Sequence, residues 1–443
     1  MSSPKIVFIG AGSHVFAKTI LTDCLSFPEL RASEIVLVDV DQKSLDITTN
    51  YMKNLVAKNT LATRIESTTK RETALSGADY VIDAIRVGGF DATKLDIEIP
   101  AKYGVIQGGG VTVGAGGVFY GLRNVPAVLE ICRDMEDKCP KALLLNYTDP
   151  LTTICWAIND YTKIKNVGLC NGIPAAAALL EGYLQVPTGE LSYLVAGINH
   201  FAWFLTLEWR GEDMYPKLRH RFKDPAVYSN FDRPMKESEV ARAEIFKAFG
   251  YFPTEGSQHT SEFVPYFRKR QDLFQRFRLV NRLEILQDMQ ANKKKQQEEM
   301  IRASSSSGEV PPISKSREYC GDIIHSIETG KISRFFGNVS NTGLISNLPN
   351  GSCVEVPCLV DASGIHPCYV GDLPPQCAAL DRTNLNVEEL AAKAAAEKDK
   401  TLAFQALLLD PLTSAILTID EIKQMVDEMF EKEAPYLPQG FRN

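Results

Sequence analysis

The chain has 443 residues, 44% of them apolar and 23% charged, which suits two or three globular domains and excludes a fibrous or disordered protein. Its formal net charge of −7 denies it the basic face that phosphate binding needs, so nucleic acid is excluded as a main partner. No apolar run approaches the ~18 residues of a membrane span, and ten scattered cysteines without a C-x-x-C spacing read as reduced, cytoplasmic thiols.

Lys5–Ile9 (KIVFI) is an apolar strand, too short for a signal peptide, that runs into Gly10-Ala11-Gly12-Ser13. His14 to Ser26 follows as a helix. Glu34–Val40 (EIVLVDV) is a second buried strand with Asp39 near its end, and Gln42 to Lys58 is a long helix. Ile65–Ser67 and Tyr80–Ile85 (YVIDAI) are further strands, Pro126–Asp137 is a helix, and Ala142–Leu145 and Val167–Cys170 are strands again. This alternation predicts right-handed βαβ units and a doubly wound parallel sheet, a Rossmann-like domain over residues 1–190. Beyond it, Leu194–Glu208 and Val354–Val360 are strand-rich, Val240–Ala248 is helical, and Phe274 to Arg302 reads as one long charged helix. Ala303 to Pro312 (ASSSSGEVPP) reads as a mobile loop, and Val387 to Phe430 as mainly helical with Pro411 as a break. Residues 191–443 are expected to form an α+β domain for substrate binding and subunit contacts, of the lactate and malate dehydrogenase type.

Gly10 and Gly12 fill the first two glycine positions of the G-x-G-x-x-G fingerprint, while Val15 stands at the third. The pattern gains weight because a strand precedes it and a helix follows, whose N-terminal amides suit a pyrophosphate. Asp39 stands 27 residues after Gly12, at the end of the second strand. A carboxylate there accepts from ribose hydroxyls and repels a 2′-phosphate, which favours NAD over NADP. Gly10, Gly12, Ser13, Asp39 and Arg86 are the candidate cofactor residues.

Four more stretches are dense in polar groups, several at the ends of apolar strands: Asn146-Tyr-Thr-Asp-Pro150, Gly168-Leu-Cys-Asn-Gly172, Gly197-Ile-Asn-His-Phe201 and YFPTEGSQHTSEF at 251–263. Cys170 and His200 offer a thiolate and an imidazole, both competent metal ligands once deprotonated. Taken alone, a cysteine ending a buried strand is more often core than ligand. Together with Ile85-Arg-Val-Gly-Gly89, GAGG at 114–117, Ser316-Arg-Glu-Tyr319 and NLPNGSCVEVPCLVDASGIHP, these stretches resemble family 4 of the glycoside hydrolases, the NAD-dependent glycosidases, along nearly the whole chain. The likeness is to the α-galactosidase branch and its α-glucosidase and α-galacturonidase relatives. It implies hydrolysis without net redox change: NAD oxidises the sugar at C3, a base removes the C2 proton beside a divalent ion such as Mn2+, the aglycone is eliminated and water adds. It implies a metal held by Cys170 and His200, contacts to a glycoside from Asn146, Asp149, Asn171 and His259, and a homodimer or tetramer.

The departures from that pattern are specific. A histidine usual in this branch after the metal cysteine is Asn171 here, which cannot act as an acid but can bind a hydroxyl. An acidic residue expected before the glycine-rich loop is Val111, and the usual Asn-Pro is Asp149-Pro150. The tyrosine that serves relatives as base falls at Ala243, leaving Asp149, Glu244 and Tyr251 as candidate catalytic groups. No arginine stands near Thr93, which disfavours a 6-phosphate substrate. His259 and Glu262 suit sugar contacts better than chemistry. Two other functions stay open from the sequence: an NAD-dependent sugar dehydrogenase, or an NAD- and sugar-binding protein that has lost catalysis.

Overall fold

A computed structural model describes residues 3–229, 238–304 and 312–441. The six strands expected in the first domain are β1 (Lys5–Ile9), β2 (Glu34–Val38), β3 (Arg64–Thr68), β4 (Tyr80–Asp83), β5 (Leu143–Asn146) and β6 (Asn166–Gly168). They pair in parallel in the order β3-β2-β1-β4-β5-β6, the doubly wound Rossmann arrangement, whose ligand crevice opens where the order reverses at β1 and β4. Ile6, Val7 and Phe8 on β1 and Val81 and Ile82 on β4 have no exposed surface, because helices cover both faces of a parallel sheet.

A second, antiparallel sheet holds β7 (Ser192–Ala196), β8 (Trp203–Trp209), the short β9 (Glu212–Asp213) and β10 (Phe252–Pro253). The remaining strands, β11 (Ser333–Ser340), β12 (Cys353–Asp361) and β13 (Gly364–Pro367), do not join it. They extend the first sheet to nine strands, with β11 antiparallel to β6 through Asn338 and Gly168. Backbone bonds between Gly197 and Glu355, at 3.1 and 2.8 Å, tie the turn after β7 to β12. This brings the ends of β5 and β6 and the turn after β7 to one place.

Several helices depart from the expectation. The Pro126–Asp137 helix begins twelve residues earlier, at Gly114, and runs to Lys138. Its glycine-rich first turn looks like a loop in sequence, but Gly116 and Gly117 lie where a Cβ would strike Gln107, Gly110 and Thr112, so close packing demands them. The long charged helix is two helices, Gln271–Phe277 and Arg282–Ala303. The break falls at Arg278, which ends the first at φ +50°, and at Asn281, whose side chain caps the second by accepting from Leu283 N at 3.0 Å. The C-terminal helices Pro375–Glu397, Lys400–Leu409 and Ile419–Glu433 flank a short turn of helix at Pro411–Ser414. Of the serine-rich segment, residues 305–311 lie outside the described residues.

Candidate active site

Gly10 turns the chain out of β1 at φ +89°, and its N–H and that of Ala11 donate to Val38 O at 2.9 and 3.0 Å. A Cβ on Gly10 would lie 2.5 Å from the Ala84 carbonyl oxygen. Gly12 N donates to Asp39 Oδ2 at 2.6 Å, and a Cβ there would meet the same oxygen at 2.7 Å. The two glycines let the turn after β1 pack closely against the ends of β2 and β4, a floor with the Asp39 carboxylate at its edge. Ser13 precedes the helix His14–Ser26 without a side-chain cap, so its side chain leaves the first-turn amides to other acceptors, as an anion site requires. Val15 is 43% exposed, so no close helix–strand approach asks for a third glycine. Arg86, after β4, lies with its guanidinium 5.8 Å from the Tyr120 ring centroid, on the Asp149 side of the switch point.

Cys170 follows β6, and its Sγ is 3.4 Å from His200 Nε2. The other ring nitrogen, Nδ1, is 2.8 Å from Thr112 Oγ1, which fixes the ring with Nε2 towards the sulfur. His200 is held at φ +62°, a conformation that costs a non-glycine residue about 1–3 kcal/mol and marks functional positions. A third donor joins them: ligand atoms of Cys170, His200 and Glu255 all lie within 4.8 Å of one another. Glu255 reaches over Gly172, where a Cβ would meet its Oε1. The thiolate, the imidazole nitrogen and the carboxylate oxygen fit a divalent cation, and the glycine floor with its acidic rim fits a dinucleotide.

Burial pushes the Cys170 thiol well above its usual range, and the Glu255 and Glu355 carboxylates push it further. Burial also raises Asp149, against the lowering influence of His200 and Arg86. Asp149 thus lies within the electrostatic reach of His200, with a carboxyl more basic than usual. Glu355, 2% exposed on β12, is pushed up to about 8 by burial and by Glu255, while Asn338 opposes the shift. A proton that folded Glu355 keeps up to about pH 8 is released near pH 4.5 once the chain unfolds. Stability from this group is thus fully present below pH 4.5 and lost as pH rises through 8. In metal-free protein, thermal midpoints of Glu355→Gln should fall less than those of wild type across that window.

The remaining candidates fall in different places. Asn171, at the start of the helix Gly172–Leu184, donates from Nδ2 to Glu318 Oε1 at 2.7 Å. His259 packs its ring edge-on to His200 at 5.1 Å, and burial followed by His200 lowers its basicity well below the usual range. Glu262 accepts from the N–H groups of Gly108, Gly109 and Gly110 at 2.7, 3.0 and 3.2 Å, so it shapes the glycine loop that leads to Val111 and Thr112. Asn146 is fully buried and spends its amide on its own turn, accepting from Thr148 N and donating to Thr148 O. Glu244 is exposed and pairs with Lys247 at 3.0 Å. Tyr251 packs against Tyr215 and lines a groove of about 520 Å³ with Leu205, Pro374 and Pro375. Ala243, on the helix Val240–Phe249, is buried in the apolar cluster of the second sheet, and Thr93 turns its hydroxyl back onto Gly89 O at 2.9 Å. Sequence reasoning passed over Glu255, Thr112 and Glu318. Glu255 lies inside a stretch already marked for its polar density and Glu318 inside the marked Ser316–Tyr319 stretch, but the roles of both, and of Thr112, emerge only from their distances.

A Rossmann sheet with a glycine-rich turn after β1, joined to a thiol–imidazole–carboxylate cluster beyond the end of β6, defines a nucleotide-binding enzyme whose second centre is built for a cation. Comparison with known proteins makes the assignment specific: residues 5–186 match the family 4 glycosyl hydrolase model and 195–413 match the family 4 glycosyl hydrolase C-terminal domain, and the chain belongs to this family. An α-galactosidase of Bacillus subtilis is 39% identical over 98% of this chain and 99% of its own length. An α-galactosidase of Rhizobium meliloti is 38% identical over 99% of this chain and 90% of its own. Among solved structures, a 6-phospho-α-glucosidase from gut microorganisms, in complex with NAD and Mn2+, shares the fold with a TM-score of 0.83 at 19% identity, covering 99% of each chain.

Proposed function

We propose that this chain hydrolyses a small, non-phosphorylated α-glycoside, an α-galactoside before an α-glucoside or α-uronide, by oxidation at C3, deprotonation at C2 and elimination, with no net redox change. The observation that carries this is the cluster of Cys170, His200 and Glu255, whose donor atoms lie within 4.8 Å of one another and whose imidazole acts on the Asp149 carboxyl, in a chain whose first strand ends in the Gly10–Gly12 turn. When bound there, NAD supplies a hydride acceptor and a divalent ion such as Mn2+ supplies positive charge beside the sugar diol. Cys170, His200 and Glu255 hold the ion, Thr112 orients His200, and Asp39 takes the ribose hydroxyls. Asp149 takes the C2 proton, since its burial makes it a stronger base than a solvated carboxylate. His259 and Asn171 face the sugar. All ten cysteines are free thiols, and no helix among the described residues is long and apolar enough to cross a membrane; a cytoplasmic homo-oligomer fits both.

The test is purified protein with NAD, Mn2+ and a panel of nitrophenyl α-glycosides, following nitrophenol and NADH together. Aglycone release without net NADH, with loss of label from a C2-deuterated substrate, supports the reading. Steady NADH production would make the protein a sugar dehydrogenase, and ligand-induced stabilisation without turnover a binding protein. Because Glu244 is exposed and committed to Lys247, Glu244→Ala should keep kcat within about twofold of wild type, as surface changes of this kind usually do.

A further inference from the structure

Glycoside cleavage delivers the leaving group as an alcohol, so a proton must reach the glycosidic oxygen. Asn171, beside the metal-type cysteine, has none to give. The carboxyl behind it does. Glu318 Oε1 accepts from Asn171 Nδ2 at 2.7 Å, and Glu318 is only 7% exposed. Its other oxygen, Oε2, is buried without a hydrogen bond of good geometry, and the Tyr147 hydroxyl, which also makes none, is the polar group beside it. Burial strengthens the hold of this carboxyl on its proton, against the donor from Asn171. The backbone that presents it is pinned: Ser316 N donates to Asp23 Oδ1 at 2.7 Å, and Glu318 N donates to Ser316 Oγ at 3.0 Å.

Glu318 also borders an open groove of about 430 Å³ between Tyr193, Tyr319 and Phe336. The Arg334 guanidinium lies over the Tyr193 and Phe336 rings at 5.6 and 5.2 Å. The groove sets these aromatic walls beside charged side chains, Lys315, Arg317 and Asp322 among them, a mixture that suits a hydroxyl-rich leaving group with an apolar face.

We propose that Glu318 is the proton donor to the departing alcohol, and that the Tyr193–Phe336 groove beside it receives that leaving group. As the bond from sugar C1 to the glycosidic oxygen breaks, the oxygen keeps the electron pair and takes the Glu318 proton, leaving a neutral alcohol and a Glu318 carboxylate. The carboxylate then accepts a proton from the water that adds to C1, which restores the acid. This role rests on the glycosidase reading above.

Glu318→Gln keeps an acceptor for Asn171 and removes the proton. It should be compared with wild type on nitrophenyl α-galactoside, whose leaving group departs unaided, and on methyl α-galactoside, whose leaving group does not. The variant should stay within about threefold of wild type on the first and lose about 10²–10⁴-fold in kcat/KM on the second, the usual range for a general acid. The alkaline limb of the methyl glycoside profile should vanish, NAD and Mn2+ affinities measured by calorimetry should not change, and Glu318→Asp should restore part of the lost rate. Arg334→Ala should raise KM for a galactosyl disaccharide and leave methyl α-galactoside unaffected. Equal losses on both substrates, or none on the methyl glycoside, overturn the role of Glu318 while the glycosidase reading stands. A wild-type enzyme that releases neither alcohol overturns both. Should Glu318→Gln fail to fold, Glu318→Asp carries the same comparison, and an unchanged ratio of the two substrates then overturns the proposal.

Discussion

Cys170→Ala is expected to remove turnover on every glycoside, activated or not, and to lower Mn2+ affinity by more than the about 10–100-fold that losing an outer-shell partner costs. The reason is the economy of the cluster, which gathers three donor atoms within 4.8 Å and has the sulfur as its anchor at the end of β6. In the metal-free protein, burial and the two neighbouring carboxylates hold the thiol protonated. A dication reverses that preference, so binding should expel the thiol proton and grow tighter as pH rises. Calorimetric titration in two buffers of different ionisation enthalpy counts this proton in wild type. In Cys170→Ala the proton should be missing as well as the affinity. Thr112→Val should be milder, about 10–100-fold in metal affinity, because it frees the His200 ring without removing a ligand. Undiminished Mn2+ binding by Cys170→Ala would rule out the cluster as the metal centre.

The parts of this site that were legible in sequence are those that local geometry dictates. KIVFI before Gly10 and Gly12, and EIVLV before Asp39, announce a strand, a turn and an acid whose spacing survives folding unchanged. Cys170 and His200 were legible through family likeness, since nothing in a lone cysteine or histidine distinguishes ligand from core. Glu255 and Glu318 were not, because their role is set by contacts between elements 85 and 147 residues away in the chain from their partners Cys170 and Asn171. Glu244 shows the converse: a carboxylate on the expected helix whose partner, Lys247 three residues on, the sequence does not single out. The two-sheet arrangement was hidden for a similar reason. Val354–Val360 reads as a strand in isolation, but only the pairing of Asn338 on β11 with Gly168 on β6, and of β12 with β11, places it in the first sheet rather than the second. One consequence reaches the chemistry, for it is this placement that sets the Glu355 carboxyl within the influence of Cys170.

The second large effect belongs to Gly10, where Gly10→Ala is expected to abolish NAD binding while leaving Mn2+ binding at Cys170 intact. Two costs add. A φ of +89° charges any residue with a Cβ about 1–2 kcal/mol, roughly a tenfold loss by itself. The new Cβ would also sit 2.5 Å from the Ala84 carbonyl oxygen and 2.7 Å from its carbon, and backbone cannot swing aside as a side chain can. Relief requires the ends of β1 and β4 to part, which removes the floor on which the pyrophosphate would rest. Gly12→Ala meets the movable Asp39 carboxylate instead, so its penalty should be smaller and should fall on ribose recognition. Gly182→Ala, inside the helix Gly172–Leu184 with nothing within 4 Å, is the control and should raise stability by about 0.5–1 kcal/mol. NAD titrations of the three variants decide the matter: if Gly10→Ala binds as tightly as Gly182→Ala, the floor between β1 and β2 is not where the dinucleotide lies.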